Sequence, residues 1–142
     1  MIVMYSIVKK IFFVIILLTC TFRVFAPSSG SLVIFTSERA EPFRKLISAI
    51  GMVETKFDTL AYNPKEEAVG YFQIRPIRVK DYNERTGSSY KPADMYSYET
   101  SEKVFLYYAS EIGPYNFERI AKNWNGSGIK TIQYWKKVKN YL

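Results

Sequence analysis

The sequence predicts a mainly α-helical domain with one short β-like segment, preceded by a secretory signal peptide. Apolar residues recur at spacings of three and four over four or five segments, which is the period of helices that bury one face. Helix stop signals follow several of these segments, as at Gly87 and Gly113-Pro114. The only β-like run is residues 71–74, which is too short to build a sheet domain.

Residues 1–26 have the pattern of a signal peptide. Two lysines precede an apolar run at residues 11–18, and Ala26 is a small residue at a cleavage point. The run is shorter than the about 20 apolar residues that a membrane span needs. The alternatives are an uncleaved anchor and lipidation of Cys20. We therefore expect export across the inner membrane to the periplasm or envelope, with membrane attachment only through the signal or a lipid.

The composition excludes several kinds of site. Cys20 is the only cysteine and the chain has no histidine, so cleavage after Ala26 leaves 116 residues without either type. Disulfides, thiol catalysis and Cys or His metal ligation are then excluded, and we predict no metal and no cofactor. Removing the signal's three basic residues from 20 leaves 17 against 13 acidic residues, a net charge of +4. That charge suits an anionic polymer or membrane surface and is too scattered for nucleic acid.

The rest of the chain divides into a linker at 27–41 and a folded domain at 42–142. Asn63-Pro64 marks a turn in the polar stretch that follows the first helix, and Pro76 opens the second helix. The last helix is expected to bury four apolar residues: Ile132, Trp135, Val138 and Leu142. Helices are predicted at 42–55, 76–85, 99–112, 116–124 and 130–142.

Glu54 stands where a carboxylate is unusual. The first helix has one apolar stripe, formed by Phe43, Leu46, Ile47, Ile50 and Val53. At about 100° per residue, Glu54 falls within that stripe. Apolar surroundings disfavour the anion, so we expect a raised pKa and a carboxyl that holds a proton near neutral pH, as a general acid must. The alternative is a helix-terminal glutamate that turns out into solvent.

Three segments after Glu54 carry a resemblance to a known family. Residues 68–76 read Ala-Val-Gly-Tyr-Phe-Gln-Ile-Arg-Pro, residues 121–128 read Ala-Lys-Asn-Trp-Asn-Gly-Ser-Gly, and a Tyr-x-x-x-Val motif ends at Val138. Together with Glu54, they resemble the soluble lytic murein transglycosylase (SLT domain) family, which shares the lysozyme-like fold with goose-type lysozyme. The resemblance covers about residues 42–138.

The chain departs from this family at four positions. Thr55 replaces a serine, and Tyr71 and Phe72 replace a Leu-Met pair. Trp124 replaces a tyrosine that, by the resemblance, hydrogen-bonds the catalytic glutamate. An indole donates a hydrogen bond but cannot accept one, so Trp124 is the departure that bears most on mechanism.

The resemblance implies that residues 42–142 are a catalytic domain that cleaves peptidoglycan. Glu54 would protonate the β-1,4 bond between MurNAc and GlcNAc, and would then act as a base on the 6-hydroxyl of the muramic sugar to give 1,6-anhydro-muropeptides. Gly70 would admit substrate close to the backbone, Gln73 would bond sugar hydroxyls, and Tyr71 or Phe72 would stack under a sugar ring unless they pack in the core. The implied substrate-binding residues are Thr55, Gly70, Tyr71, Phe72, Gln73, Trp124, Asn125 and Tyr134.

Two other functions stay open on the sequence alone. One is a lysozyme-type hydrolase that uses water, and the other is a glycan-binding module without activity. An inverting hydrolase would need a second carboxylate about 6.5–9.5 Å from Glu54, and Glu66-Glu67 is the most favourable place for it. Peptidoglycan glycan strands are the expected partner, with envelope or secretion machinery as a further option, and we expect a monomer that binds no nucleic acid.

Overall fold

The computed structural model describes residues 41–142. The signal peptide and nearly all of the linker predicted for residues 1–41 lie outside the described residues. Five α-helices and one small antiparallel sheet make the described part mainly α, as predicted. The helices are α1 (Arg44–Thr55), α2 (Pro76–Thr86), α3 (Tyr98–Ile112), α4 (Phe117–Asn125) and α5 (Lys130–Lys139), and the strands are β1 (Tyr62–Asn63) and β2 (Ala68–Val69).

The helices begin and end close to the predicted residues. A 3₁₀ helix, Glu41–Phe43, precedes α1, and a second, Pro92–Tyr96, lies in the predicted loop before α3. The Ser97 side chain caps α3 by accepting a hydrogen bond from the Thr100 amide. Gly87 ends α2 with φ at 70°, in the left-handed region where glycine carries no steric penalty.

The β-like run predicted at residues 71–74 is wrong. These residues form a turn, and the sheet lies upstream, where Tyr62 pairs with Val69 and Asn63 pairs with Ala68. The run cannot stay extended because Gln73 has φ at 50°, a conformation that reverses the chain. Its only sheet-like contact is an isolated bridge between Val69 and Ile74.

Aromatic rings form the centre of the core. The Phe72 and Phe105 rings stack with centroids 4.8 Å apart, and the Trp124 ring meets Phe105 edge-on at 5.0 Å. Phe72 and Phe105 are fully buried, and each such ring stabilises the fold by about 1.5–3 kcal/mol relative to an exposed one. The cluster fixes the 70–75 loop against α3 and α4.

The inward face of α5 differs from the prediction by one residue of phase. Val138 is buried as expected, but Ile132 is 47% exposed and Leu142 is 40% exposed, so the expectation for those two is wrong. Thr131 and Tyr134 are buried instead. α5 packs against α1 and α4, and this phase turns the Tyr134 hydroxyl towards α1. Within residues 41–142, no helix has the length and apolarity needed to cross a membrane.

Candidate active site

A hydrogen bond between Glu54 and Tyr134 joins α1 to α5. The Tyr134 hydroxyl donates to Oε1 of Glu54 over 2.7 Å, between residues 80 apart in the sequence. Tyr134 is only 7% exposed, whereas Glu54 keeps partial exposure in the last turn of α1. The carboxyl is therefore held by a buried partner and still reaches the surface.

Burial raises the pKa of Glu54 from its usual 4.5 to about 7. The hydrogen bond from Tyr134 opposes this rise because it stabilises the anion. The negative charge of Glu66 raises the pKa further, while the positive charges of Arg75 and Lys137 lower it. A value of about 7 leaves roughly half of the carboxyls protonated at neutral pH, which is the condition for one group to act as acid and then as base. The raised pKa expected from the apolar stripe is confirmed.

Thr55 and Tyr71 support the end of α1. The Thr55 hydroxyl lies 3.3 Å from the carbonyl oxygens of both Gly51 and Tyr71. The Tyr71 ring fills the space beside Gly51, where an added Cβ would come within 2.0 Å of Cζ of Tyr71. These contacts hold the 70–75 loop against the turn of α1 that carries Glu54. Thr55 and Tyr71 therefore help to fix the position of Glu54.

Sugar stacking by Tyr71 or Phe72 is wrong. Tyr71 is 7% exposed and Phe72 is fully buried, so neither ring has a free face. Gly70 also has a structural cause: its φ is 73°, and a Cβ there would come within 2.1 Å of the Met95 carbonyl oxygen. The Gly70 backbone therefore lies close against the 3₁₀ helix Pro92–Tyr96. The glycine is needed for this contact, and not for the close approach of substrate that was predicted from the sequence.

Gln73 is the uncharged polar residue of the 70–75 loop, and it keeps partial exposure. Its amide nitrogen donates to the carbonyl oxygens of Gly70, over 3.0 Å, and Ala61, over 3.4 Å. These bonds brace the left-handed turn at Gln73. The amide oxygen is the end left to accept a hydrogen bond from a sugar hydroxyl or an N-acetyl group.

Trp124 takes a different role from the one that the resemblance implies for its position. Its indole nitrogen donates to the Phe72 carbonyl oxygen over 3.1 Å, and the ring is 6% exposed. The Arg78 guanidinium lies 4.4 Å above the ring and donates to the Trp124 carbonyl oxygen over 3.2 Å. Tyr134, from α5, supplies the hydroxyl to Glu54 instead. Asn125, which follows Trp124, is the last residue of α4 and is partly exposed.

The other carboxylates near the motifs divide into one that acts on Glu54 and four that do not. Glu66, in the exposed turn between β1 and β2, is the only one among the charges that shift the pKa of Glu54. Asp58 accepts from the Leu60 amide, and Asp94 from the Lys91 amide. Asp81 binds Tyr108 and Arg85, and Glu67 is exposed.

Sequence reasoning did not single out Arg75 and Lys137. Both lie close enough to Glu54 for their charges to act on it. Lys137 follows Tyr134 by three residues on α5 and so shares its face, and this spacing could have identified it. Arg75 precedes Pro76 and sits inside the motif itself, but a single charge before a helix has no sequence signature.

Residues 41–142 contain no group of three potential metal ligands among His, Cys, Asp and Glu. No family model, curated protein or solved structure matches this chain.

Proposed function

We propose that this chain has a lysozyme-like fold and is a lytic transglycosylase of peptidoglycan. The observation that carries the proposal is Glu54, a carboxyl with a pKa of about 7 at the end of α1, held by Tyr134 and partly exposed. The order of Glu54, Gln73, Asn125 and Tyr134 along the chain gives the second support. The signal peptide predicted for residues 1–26 would deliver the enzyme to the envelope, where peptidoglycan lies.

The reaction uses one carboxyl in two steps. Protonated Glu54 gives its proton to the glycosidic oxygen as the bond to the anomeric carbon of MurNAc breaks, and the GlcNAc end leaves as an alcohol. The Glu54 carboxylate then removes the proton of the MurNAc 6-hydroxyl, whose oxygen bonds to the anomeric carbon. Glu54 ends protonated, no water is consumed, and the product is a 1,6-anhydro sugar.

Tyr134 has a specific part in this cycle. It donates to Glu54 while the carboxyl is an anion, after the first proton transfer, and so holds it in place for the second. Gln73 offers its amide oxygen to the sugar beside the cleaved bond. Thr55, Tyr71 and Trp124 hold the 70–75 loop against α1 and α4.

A lysozyme-type hydrolase is the second candidate, and Glu66 is the observation that favours it. Its negative charge acts on Glu54 from the turn between β1 and β2. A second carboxylate could activate water on the other side of the sugar. Glu66 is solvent-exposed, and no hydrogen bond or ion pair within residues 41–142 holds its carboxylate in place, so the single-carboxyl reaction is the better account.

Digestion of purified sacculi by the protein, followed by mass spectrometry of the products, tests the proposal. Anhydro-muropeptides, lighter by one water than hydrolysis products, are expected. Reducing ends would identify the hydrolase instead. The absence of any soluble product would contradict both enzymes and favour a module that binds glycan without cleaving it.

A further inference from the structure

Arg75 reaches from the start of α2 to the turn after α4. It is the residue before α2 and has extended backbone, with φ at −81° and ψ at 151°. Its Nη2 lies 3.9 Å from the point where a Cβ on Gly126 would stand, and no other heavy atom outside the local chain lies within 4 Å of that point. The guanidinium therefore stands beside the open face of the Gly126 turn.

The Arg75 guanidinium is not used to hold the fold. Among residues 41–142 it takes part in no ion pair and no side-chain hydrogen bond to protein, and the residue is partly exposed. Arg78, three residues later, is the contrast, because it donates to the carbonyl oxygens of Asn123 and Trp124 and covers the Trp124 ring. Arg78 is therefore structural, whereas the Arg75 guanidinium is free to bind a ligand.

A positively charged hollow continues from this turn. It has a volume of about 530 Å³, and Gly126 lies on its wall together with Arg119 and Lys122 of α4. The only acidic residue on the wall is Glu118, whose carboxylate pairs with Lys122. Arg119 has no carboxylate partner among the described residues. The hollow therefore carries uncompensated positive charge.

Arg75 also connects this hollow with Glu54. Its charge is one of those that lower the pKa of Glu54, so the guanidinium lies within electrostatic range of the reacting carboxyl. The same guanidinium is therefore beside the Gly126 turn and within range of Glu54.

Resting on the proposed function, we infer that Arg75 and the hollow beside Gly126 bind the carboxylates of the peptide that a muramic residue carries. A guanidinium presents paired donors that match the two oxygens of a carboxylate, and such charge-assisted bonds are about twice as strong as neutral ones. The enzyme then prefers strands whose peptides keep their free carboxylates, and Arg75 is a specificity-determining residue.

Two substrates of nearly equal shape test the inference. One is a preparation of soluble, peptide-bearing glycan strands, and the other is the same preparation with its carboxyl groups converted to amides by carbodiimide and ammonia. The wild-type protein is expected to show a KM at least about tenfold lower for the carboxylate strands, the effect of one charge-assisted hydrogen bond. Arg75→Gln should remove this preference by raising KM for the carboxylate strands alone, and Arg75→Lys should restore part of it.

Lys80→Gln is the matched control, because it removes one positive charge from an exposed residue of α2 that pairs with Glu84. It should keep the wild-type ratio of KM values, whereas Arg119→Gln should reduce the ratio by less than Arg75→Gln does. Equal KM values for the two substrates with wild-type protein would overturn the inference and leave the proposed function intact. An equal loss on both substrates in Arg75→Gln would show a structural role and would also overturn it. If wild-type protein cleaves neither substrate, the proposed function is contradicted, and this inference, which rests on it, is contradicted as well.

Discussion

Two tyrosine–carboxylate hydrogen bonds in this domain have nearly the same length and opposite electrostatic outcomes. Tyr134 donates to Glu54 over 2.7 Å between α5 and α1, and Tyr108 donates to Asp81 over 2.6 Å between α3 and α2. Burial raises the pKa of Glu54 to about 7. The pKa of Asp81 is instead lowered, first by the Tyr108 hydrogen bond and then by the one from Arg85.

The surroundings decide the difference, because each tyrosine lowers the pKa of the carboxyl that it binds. At Glu54 the loss of water around the charge outweighs the hydrogen bond. Asp81 stays largely in solvent and gains an arginine 3.0 Å away, so the desolvation that opposes its ionisation is outweighed by its two hydrogen bonds. A tyrosine hydrogen bond alone lowers the pKa of a carboxyl, and a carboxyl bonded in this way holds a proton near neutral pH only where it is also desolvated.

Substitution of Glu54 and of Asp81 should differ most in the effect on sacculus cleavage. Glu54→Gln should reduce sacculus cleavage by at least about 100-fold, because it removes the transferable proton at nearly constant shape. Asp81→Asn should leave cleavage near the wild-type rate, because that carboxylate only holds α2 to α3. Both rates are measured by release of soluble muropeptides. Near-normal cleavage by Glu54→Gln would contradict the assignment.

The two carboxyls should also give opposite dependences of stability on pH. The folded state binds more protons at Glu54 than the unfolded state between pH 4.5 and 7, so this carboxyl lowers the free energy of unfolding as the pH rises through that window. Glu54→Gln should therefore gain stability relative to wild type by up to about 3 kcal/mol between pH 4.5 and 7. Asp81 has a lowered pKa, so its contribution is present above its ordinary value of 3.8 and is lost as the pH falls. Denaturant unfolding of the variants at about pH 3, 4.5, 6 and 8 measures both trends, since the loss at Asp81 falls below pH 3.8. A gain by Glu54→Gln that did not grow with pH would argue against a desolvated acid.

Removing each tyrosine hydroxyl measures what its hydrogen bond contributes to the pKa of its carboxyl partner. Tyr134→Phe should raise the pKa of Glu54 above 7, move the alkaline limb of kcat/KM to higher pH, and reduce kcat by about tenfold, because the carboxylate loses a charge-assisted donor. Tyr108→Phe should raise the pKa of Asp81 and leave the pH profile of cleavage unchanged. Identical profiles for Tyr134→Phe and wild type would show that the hydroxyl does not act on Glu54.

The smallest effects come from charges that act on Glu54 without touching it. Glu66→Gln should lower the pKa of Glu54 and shift the alkaline limb slightly to lower pH, and Lys137→Gln should shift it slightly the other way. A large loss of kcat in Glu66→Gln, with little change in the limb, would instead assign Glu66 to the chemistry and favour the hydrolase.

Local periodicity was sufficient to predict the helices and the placement of Glu54. The stripe of α1 follows from spacings of three and four, and Leu46 and Ile50 are fully buried as that spacing requires. The upward direction of the Glu54 pKa shift was predicted from the same pattern. The helix end at Gly87 was readable for the same reason, since a glycine cap is local chemistry, whereas the Ser97 cap of α3 was not identified from the sequence.

The long-range partners were not predictable from the sequence alone. Tyr134 was named as a substrate-binding residue, but its bond to Glu54 depends on how α5 packs against α1 across 80 residues. Ile132 was predicted to face inward because only apolar residues were counted, whereas the buried face of α5 carries Tyr134, whose hydroxyl bonds Glu54. The left-handed turn at Gln73 likewise depends on contacts to Gly70 and Ala61 that no short pattern encodes.

Titration of the Glu54 carboxyl decides whether this group is an acid near neutral pH. The titration can be monitored by carbon NMR of the selectively labelled protein, with Asp81 as internal reference. We expect a midpoint of about 7 for Glu54 and a midpoint below 3.8 for Asp81. A Glu54 midpoint at or below its usual 4.5 would show that the carboxyl is solvated, and would contradict its role as the acid.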